Sequence, residues 1–276
     1  MATVAQALRD AAASLAGAES RGEAELLLAH ALQQPRVWLL AHDRDELEAE
    51  ARLRFAGFLQ RRQRGEPVAQ IVGQRGFWSL DLVVTTDTLI PRAETERLVE
   101  LALQHLPSDK SARVLDLGTG TGAIALAIAS ARPDIEVTAV DVDARTLAVA
   151  QKNAARLGLD RVRFLRSHWF SALAGDRFDM IVANPPYIAD DDPHLDEGDL
   201  RYEPRLALAS GPDGLDAIRC IVAEAPSHLV SGGVLLIEHG WKQGAAVRAL
   251  MIEAGFAKVV THTDLENRER VTQGKR

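Results

Sequence analysis

Apolar residues in the first part of the chain recur every three or four positions, over residues 4–15, 26–32 and 47–59. This is the spacing of helices that each bury one face. Ser20 is followed three positions later by a glutamate, the form of a capping box, so we expect Ser20 to cap the second helix. The pattern therefore predicts a small α-helical bundle domain over residues 1–72.

The pattern changes at residue 73, where apolar and polar residues begin to alternate. The alternation predicts a pair of short strands, so we expect residues 73–90 to form a β-hairpin linker. From residue 91 onwards strands and helices alternate, which predicts an α/β domain over residues 91–276 with a parallel sheet covered on both faces. The last two strands could add an antiparallel edge. Strands are expected at 113–117, 135–141, 161–165, 179–183 and 233–238, and helices at 123–131, 144–158, 214–229 and 242–254.

The composition narrows the class of protein. With 276 residues, 47% of them apolar and 26% charged, the chain suits a catalytic domain with a smaller companion. The net charge is −7, and neither residues 1–83 nor the remainder carry a basic excess. This disfavours nonspecific binding to duplex nucleic acid, which depends on Lys and Arg. The arginine cluster at 61–64 could contact an acidic or RNA partner, but cations at the end of a helix also complement the helix dipole.

The single cysteine and the character of the N-terminus predict a cytoplasmic protein without membrane contact. Cys220 has no partner for an internal disulfide, which fits a reducing compartment. It lies in an apolar-periodic segment, so we expect a buried helix residue rather than a nucleophile. The first residues lack the basic start and apolar core of a signal peptide. No stretch approaches the ~18 apolar residues of a membrane span.

The first motif with chemical content is LDLGTGTGAIALA, residues 115–127. A predicted strand ends in a glycine-rich turn, and a predicted helix begins directly after it. The glycines let the backbone approach a ligand closely, and this first turn of a doubly wound sheet is where such folds bind ligands. A tight turn with only a structural role is the alternative, because the spacing is not the dinucleotide G-x-G-x-x-G and a P-loop lysine is lacking.

An acidic residue at the end of the next predicted strand strengthens the ligand interpretation. Asp141 follows Gly118 by 23 positions, and a carboxylate near this offset can accept hydrogen bonds from both hydroxyls of a ribose. The alternative is that Asp141 or Asp143 caps the following helix. The positions favour Asp141 for the ribose and Asp143 for the cap. The two motifs indicate a nucleoside-containing cofactor, but they do not separate a nicotinamide dinucleotide from S-adenosylmethionine.

The tetrapeptide NPPY, residues 184–187, follows a later strand and makes that separation. In this topology the strand ends beside the glycine loop, so Asn184 points toward the cofactor pocket. Its side-chain oxygen and the carbonyl of Pro185 can each accept a hydrogen from a substrate –NH2 group. The prolines remove competing backbone donors, and Tyr187 offers a flat face to a planar amide or base. The corner is therefore interpreted as a rigid clamp for an amino or amide nitrogen.

The residues quoted so far resemble a known family. DLGTGTG together with a strand-terminal NPPY is similar to class I S-adenosylmethionine-dependent methyltransferases that act on amino or amide nitrogens. FWSLDLVVTTDTLIPRAETE, SHWFSALAG, NPPYIADDDPHL, RYEPRLALASGPDGL and LLIEHGWKQG narrow the resemblance to the HemK/PrmC-type release factor glutamine methyltransferases. The resemblance covers nearly the whole chain. It departs from the family pattern at Ala93, which replaces a proline, and at His168, where an aspartate is usual.

The resemblance implies a fold and a set of site residues. The fold is a Rossmann-like class I methyltransferase domain with a mostly parallel seven-stranded sheet and an antiparallel edge, preceded by the helical bundle and the hairpin linker. Asn184, Pro185 and Tyr187 would be catalytic, and together with Pro186 they would hold the substrate glutamine. The ribose would contact Asp141, and the adenine would pack near Trp169. The implied contacts with the cofactor S-adenosyl-L-methionine are Gly118, Thr119, Gly120, Thr121, Gly122, Asp141, Trp169 and Asn184.

The implied reaction is N5-methylation of the glutamine in the Gly-Gly-Gln motif of class I peptide chain release factors. The chain would act as a monomer, without direct contact with nucleic acid. A metal is not expected, because the sulfonium is already activated and none of the histidines has a metal-ligand spacing. His239 is expected to be a structural or pocket-lining residue rather than a base.

Three alternative functions remain open from the residues alone. They are a glutamine methyltransferase of a ribosomal protein, an exocyclic-amine methyltransferase of a nucleic acid, and a noncatalytic nucleotide-binding protein. The nucleic-acid enzyme would need a basic groove. The segment DDDPHLDEGD, residues 190–199, is either a solvated loop or a surface that meets a basic part of the protein substrate.

Overall fold

The computed structural model describes residues 2–15, 17, 19–107 and 111–276. The chain divides into two compact units, Met1–Gln74 and Arg75–Arg276. The boundary places the hairpin with the second unit, apart from the first residue of its first strand. Among the helices of the described residues, none combines the length and the apolar character that a membrane crossing requires.

The first unit is helical, and its helices share one core. The innermost side chains of this core, all fully buried, are Ala24, Leu27, Leu28 and Ala31. Two short helices were not among the predicted elements, and the third long helix begins at Ala49, two residues after the start of the apolar pattern at 47. The helices are α1 Val4–Ser14, α2 Ser20–Leu32, α3 Trp38–Ala41, α4 Ala49–Gln63 and α5 Val68–Val72.

The predicted cap of α2 is wrong. The helix begins at Ser20 itself, and Glu19 occupies the cap position without a side-chain hydrogen bond. Glu23 does not reach back to the helix start, because it pairs with Arg62 at the end of α4, with 2.7 Å between Nη2 and Oε1. Arg61 forms the neighbouring ion pair with Glu66. These two cations of the arginine cluster are therefore used inside the helical unit.

The hairpin consists of β1 Gln74–Phe77 and β2 Leu80–Val83, as the alternating pattern predicts. An extended segment leads from it to a single 3₁₀ turn, Ala93–Thr95, which continues into helix α6, Glu96–His105. This helix was not predicted. It buries Leu98, Val99, Leu101 and Ala102 in the core on one side of the large sheet.

The second unit contains a seven-stranded sheet with the order β5-β4-β3-β6-β7-β9-β8. The first five of these strands are parallel, and β9 pairs antiparallel with both β7 and β8. This confirms the predicted fold class, a mostly parallel sheet with an antiparallel edge. The strands are β3 Arg113–Leu117, β4 Glu136–Asp141, β5 Arg163–Arg166, β6 Phe178–Ala183, β7 Leu229–Glu238, β8 Ala257–Thr263 and β9 Glu269–Lys275.

The register of the central strands brings three loops to one edge of the sheet. Leu117 at the end of β3 lies beside Val140 of β4 on one side and Ala183 of β6 on the other. The chain order reverses at β3, since β4 is placed to one side of it and β6 to the other. This is the position where open α/β sheets form a ligand crevice.

Helices cover both faces of the sheet and follow the predicted positions closely. They are α7 Ala123–Ala131, α8 Ala144–Leu157, α9 Asp216–His228 and α10 Gly244–Glu253. One helix prediction is wrong in a detail, because Cys220 lies on α9 but is exposed. The buried face of α9 consists of Ala217, Ile218, Ile221, Val222 and Ala225, and position 220 falls beside that face rather than on it.

Candidate active site

The glycine loop, Gly118–Gly122, joins β3 to α7 and is held by backbone hydrogen bonds. The amide of Thr119 donates to the carbonyl of Val140 at 2.9 Å, and the amide of Gly122 donates to the carbonyl of Thr119 at 2.8 Å. Gly122 has φ +84°, and a Cβ there would lie 2.9 Å from Cδ1 of Leu126. Only glycine satisfies both the backbone angle and the packing at the start of α7.

A buried carboxyl group supports the loop from below. Asp116 is fully buried, and its Oδ2 accepts a hydrogen bond from the Thr119 hydroxyl at 2.6 Å. Its Oδ1 lacks a hydrogen-bond partner among the described residues. Burial raises the pKa of Asp116 to about 7, against the lowering effect of the Thr119 hydroxyl. A group with its own donors or a positive charge would therefore be stabilised close to this loop.

The carboxylate of Asp141 is oriented by backbone donors at the end of β4. Oδ2 accepts from the amide of Gly120 at 3.0 Å, and Oδ1 accepts from the amide of Asp143 at 3.1 Å. Burial raises the pKa of Asp141, while these amides lower it. Each oxygen of the Asp141 carboxylate keeps a second lone pair that can accept a hydrogen bond from a ligand. Asp143 caps α8 by accepting from the amide of Arg145 at 2.7 Å, which confirms its predicted role.

Asn153, which the sequence pattern did not single out, connects the glycine loop to the hairpin. It is fully buried on α8. Its Nδ2 donates to the carbonyls of Thr121 at 2.9 Å and Val83 at 3.1 Å, and its Oδ1 accepts from the amide of Val83 at 2.7 Å. One side chain therefore fixes the cofactor loop and the second hairpin strand relative to each other.

Trp169 lines the cavity beside the glycine loop. Its backbone has φ +47°, a conformation that is uncommon for a bulky side chain, and its carbonyl accepts a hydrogen bond from the Ser167 hydroxyl at 2.8 Å. A Cβ added to Gly118 would lie 3.6 Å from Cζ3 of the indole. The ring thus stands next to the loop backbone and contributes an aromatic surface to the cavity.

The NPPY corner follows β6, and its first residue is anchored by a distant side chain. Nδ2 of Asn184 donates to the hydroxyl of Thr95 at 3.0 Å. This contact assigns the amide nitrogen to the protein side and leaves Oδ1 as the acceptor on the other side. Because both N–H and C=O groups are present in one amide, this orientation decides whether Asn184 can accept a hydrogen from a ligand.

The other end of the corner is fixed through its backbone. The carbonyl of Tyr187 accepts from Nε2 of Gln243 at 3.0 Å, and the same amide donates to the carbonyl of Asp213 at 3.2 Å. Gly214 makes the close approach possible, since a Cβ there would lie 2.2 Å from the Tyr187 carbonyl oxygen and its φ is +73°. Gln243 and Gly214 were not identified from the sequence.

The Tyr187 side chain lies close to Glu238, the last residue of β7. Glu238 is 1% exposed, and burial raises its pKa to about 7, while the hydroxyls of Thr95 and Tyr187 and the charge of Arg270 lower it. These hydroxyls are close polar neighbours, although Oε2 of Glu238 has no partner at hydrogen-bond distance among the described residues. Burial and the Glu238 charge raise the pKa of Tyr187, so the phenol is neutral.

A cavity of about 780 Å³ lies between these elements. Gly122, Pro185 and Tyr187 are outside its described lining and belong to the framework behind it. The contacts with cofactor and substrate that were predicted for these three residues stay predictions, as do the contacts of the lining residues. The predicted residues that line the cavity are Gly118, Thr119, Gly120, Thr121, Asp141, Trp169, Asn184 and Pro186.

Two further segments complete the cavity wall. Glu203, with a side chain buried from solvent, accepts from the amide of Ile90 at 2.8 Å and forms an ion pair with Arg92. This contact ties residues 86–95 to residues 204–210, and both segments contribute to the lining. The sequence analysis did not identify the cavity-lining residues of these two segments, because neither segment has strand or helix periodicity. Their prolines were the only local feature that marked them as irregular structure.

The remaining sequence-predicted groups have simple environments. Both ring nitrogens of the buried His239 are engaged, Nε2 with the Thr272 hydroxyl at 2.8 Å and Nδ1 with the Gly240 carbonyl at 2.9 Å. Burial lowers its pKa, so it is a neutral structural residue. In the part of the chain that the structure describes, His, Cys, Asp and Glu side chains form no cluster of three suited to a metal ion.

The acidic segment 190–199 is mostly exposed, as either interpretation requires. Asp192 has a local role, because it accepts from the amide of His194 at 3.0 Å and caps the turn Pro193–Asp196. Asp191 and Glu197 are exposed. The segment therefore presents carboxylates to solvent on the chain that continues from the NPPY corner.

Two families match the sequence. The methyltransferase small domain matches residues 91–197, and the PrmC N-terminal domain matches residues 6–73. The chain is 56% identical to the release factor glutamine methyltransferase of Pseudomonas aeruginosa, over 93% of this chain and 92% of that protein. It is 55% identical to the enzyme of the same name from Xylella fastidiosa strain Temecula1, over 92% and 93%. The Escherichia coli strain K12 protein of that name is 49% identical over 97% of both chains.

Solved structures with low sequence identity share the fold. A methyltransferase from Pyrococcus furiosus has a TM-score of 0.54 at 18% identity, covering 80% of this chain and 98% of that one. A 16S rRNA methyltransferase from T. thermophilus, in complex with AdoMet and guanosine, has a TM-score of 0.54 at 22% identity, covering 74% of this chain and 49% of that one. At these identities the likeness establishes the methyltransferase fold alone.

Proposed function

Because the chain belongs to the release factor glutamine methyltransferase family, we propose that it methylates the side-chain amide of a release factor glutamine, with S-adenosyl-L-methionine as the methyl donor. The finer assignment is N5 of the glutamine in the Gly-Gly-Gln motif of class I peptide chain release factors. It rests on the family resemblance of the motifs and on the chemistry of the NPPY corner.

One observation carries this proposal: Asn184 lines the same cavity as the glycine loop, Asp141 and Trp169. A cavity of about 780 Å³ is large enough for a nucleoside cofactor together with one side chain of a protein substrate. The carboxylate of Asp141 lines the cavity and fits a ribose, and the buried carboxyl group of Asp116 beneath the loop favours a cationic cofactor. These residues therefore fit S-adenosylmethionine.

The chain's own residues would orient a nitrogen that is a weak nucleophile. S-adenosylmethionine supplies an electrophilic methyl group when it is bound. An amide nitrogen shares its lone pair with the adjacent carbonyl, so its reactivity depends on the orientation of that lone pair. Oδ1 of Asn184 and the carbonyl of Pro185 would each accept one N–H hydrogen of the glutamine. Holding both hydrogens directs the lone pair toward the methyl group, and such placement supplies much of a rate enhancement.

Docking of the protein substrate is proposed for two surfaces. None of the described residues of the helical unit Met1–Gln74 is among the residues that line the cavity, which suits a role in binding a part of the release factor other than its glutamine. The exposed carboxylates of residues 190–199 suit a basic surface of the partner. We further propose that the protein acts as a monomer in the cytoplasm, where release factors function, and without direct contact with nucleic acid.

The test is methyl transfer from labelled S-adenosylmethionine to purified release factor. The control substrate is the same factor with Gln→Ala in its Gly-Gly-Gln motif. Label on the native factor alone is the expected result. Equal label on both factors would contradict the glutamine assignment, and no label on either would contradict the release factor assignment.

The same assay distinguishes the other methyl acceptors. A ribosomal protein or a nucleic acid, offered in place of the release factor, is expected to remain unlabelled. For the nucleic acid the expectation follows from the acidic balance of the second unit's sequence and from the family membership.

A further inference from the structure

The clamp proposed for the substrate nitrogen works with only one orientation of Asn184. The side-chain amide has an acceptor, Oδ1, and a donor, Nδ2, that occupy nearly equivalent positions. With Oδ1 toward the substrate, Asn184 accepts a hydrogen from the glutamine –NH2. With the amide rotated by half a turn, two donors face each other and the clamp opens. A second group must therefore decide between the two orientations.

Thr95 is placed to make that decision. It is 4% exposed, and its hydroxyl oxygen accepts from Nδ2 of Asn184 at 3.0 Å. A threonine hydroxyl has one hydrogen and can either donate to Asn184 or accept from it. It holds Nδ2 on the protein side only when its own hydrogen is directed elsewhere.

Glu238 supplies a destination for that hydrogen. Its carboxyl group is buried at the end of β7, the neighbouring hydroxyls of Thr95 and Tyr187 lower its pKa, and its Oε2 has no hydrogen-bond partner among the described residues. An ionised carboxylate has only acceptor sites. The unpartnered oxygen gives the neighbouring hydroxyls an acceptor for their hydrogens, which would leave the Thr95 oxygen free to accept from Asn184.

We propose that Glu238, as a carboxylate, and Thr95 are positioning residues that hold the Asn184 amide with Oδ1 toward the substrate nitrogen. The inference rests on the proposed function for the identity of that nitrogen. Neither residue needs to touch the reacting atoms, since both act through Asn184. The sequence motif NPPY would thus depend on two residues outside it, one before the sheet and one in its fifth strand in chain order.

The proposal predicts a specific pH dependence. Protonated Glu238 becomes a donor to Thr95, so Thr95 can donate to Asn184 and favour the rotated amide. Since burial raises the pKa of Glu238 to about 7, activity is expected to fall as the pH drops through that region. The other charged groups that affect Glu238 are Arg270, which is paired with Asp264, and Glu94. Tyr187 remains neutral, because its pKa is raised.

The first experiment compares Thr95→Val with Thr95→Ser in the release factor assay. Valine keeps the shape and removes the hydroxyl, whereas serine keeps the hydroxyl. We expect kcat to fall by about tenfold or more in Thr95→Val. The free energy of one hydrogen bond, if lost from the transition state, corresponds to a rate change of about this size. The KM for the release factor should change by less than about twofold, because the docking surfaces are intact. Thr95→Ser should restore the rate. Equal rates in the two variants would overturn the proposal.

The second experiment measures the pH profile of Glu238→Gln. In the wild type a single ionisation reduces kcat by about tenfold per pH unit below the pKa. The glutamine side chain is a hydrogen-bond donor at every pH, so the kcat of Glu238→Gln should be low over the whole pH range. The fall of kcat below the pKa, seen in the wild type, should be absent from its profile. A persistent fall would assign the ionisation to another group. Thermal stability separates this role from a structural one, because the variant removes a buried charge and should be at least as stable at pH 8.

A third measurement does not depend on the identity of the substrate. The side-chain amide resonances of Asn184, assigned by their loss in Asn184→Asp, can be observed by NMR in the protein alone. We expect them to shift across pH 7 in the wild type and to lose this dependence in Thr95→Val. A pH-independent wild-type signal would overturn the proposal. If the wild type left the release factor unmethylated, the proposed function would fail while this measurement still decided the positioning role.

Discussion

The two sides of the cavity are built in different ways. On the cofactor side, the glycine loop and Asp141 are held mainly by backbone hydrogen bonds between the ends of neighbouring strands β3 and β4. On the substrate side, the NPPY corner is held by side chains that are remote in sequence. Thr95 lies 89 positions before Asn184, and Gln243 lies 56 positions after Tyr187.

This difference determines how each side responds to change. The cofactor side depends mainly on the ends of β3 and β4, with Asn153 of α8 as a side-chain support from outside the sheet. The substrate side depends on loops and helices that meet only when the second unit is complete. We therefore expect cofactor affinity to be robust toward remote substitutions, and methyl transfer to be sensitive to them.

The sharpest way to break the comparison is Asn184→Ala, which removes the clamp. We expect single-turnover methyl transfer to fall about 100- to 1,000-fold, the range seen when one preorganised polar group is removed from an active site. The dissociation constant of S-adenosylmethionine, measured by calorimetry, should rise by much less, because the glycine loop and Asp141 are unchanged. A loss of rate explained entirely by weaker cofactor binding would contradict the division between the two sides.

Gly214→Ala should damage the substrate side through the backbone. The new Cβ would lie 2.2 Å from the Tyr187 carbonyl oxygen, and overpacking of this kind typically costs about 1–3 kcal/mol in addition to the strain of a positive φ. Methyl transfer should fall together with the free energy of unfolding, measured in urea.

Gly158→Ala is the matched control for this substitution. Gly158 ends α8 with φ +66° but has open space around its Cβ position. The free energy of unfolding of Gly158→Ala should fall only by the strain of a positive φ, about 1–2 kcal/mol. Its methyl transfer activity should be unchanged. Equal losses in the two variants would show that the close approach to Tyr187 is unimportant.

Asp141→Asn tests the cofactor side. The amide keeps the shape but replaces one acceptor by a donor, so the dissociation constant of S-adenosylmethionine should rise about 10- to 100-fold, equivalent to about 1.5–3 kcal/mol for bonds to a charged group. Asp143→Ala is the control, because this neighbouring carboxylate also lines the cavity but caps α8 and pairs with Arg145, and its loss should cost about 1 kcal/mol of stability. Weaker cofactor binding in Asp143→Ala alone would reverse the assignment of the two aspartates.

The smallest effect is expected from the exposed acidic segment. The double variant Asp191→Asn with Glu197→Gln should raise the KM for the release factor about two- to threefold at low salt, because exposed charge pairs contribute little. The difference should vanish in high salt, where such pairs are screened. Glu253→Gln, an exposed change on α10, should leave the KM unchanged. An effect of equal size in that variant would remove the docking role of the segment.

The same contrast explains what the sequence could predict. The parallel strands are short apolar runs that follow turn residues, so β3, β4, β6 and β7 lie where they were expected, within a few residues. The glycine loop and the Asp143 cap are local patterns. They could be predicted because the residues that make each contact are close in sequence.

The missed residues share the opposite property. Asn153, Glu203 and Gln243 act through side-chain contacts to segments between 30 and 113 positions away. Helix α6 has a clear apolar face but stands beside an irregular segment that obscured its start. The wrong prediction of a capping box at Ser20 has the same origin. Glu23 pairs with Arg62, which lies 39 positions away, instead of closing a local capping box at Ser20.

Cys220 gives the structure a practical use. It is the only cysteine of the chain, it is exposed, and it lies on the wall of the cavity. The rate at which a thiol reagent modifies this single position should therefore depend on whether the cavity is filled. An unmodified chain thus carries its own reporter of occupancy, which can follow binding by either substrate without an attached dye or an isotopic label.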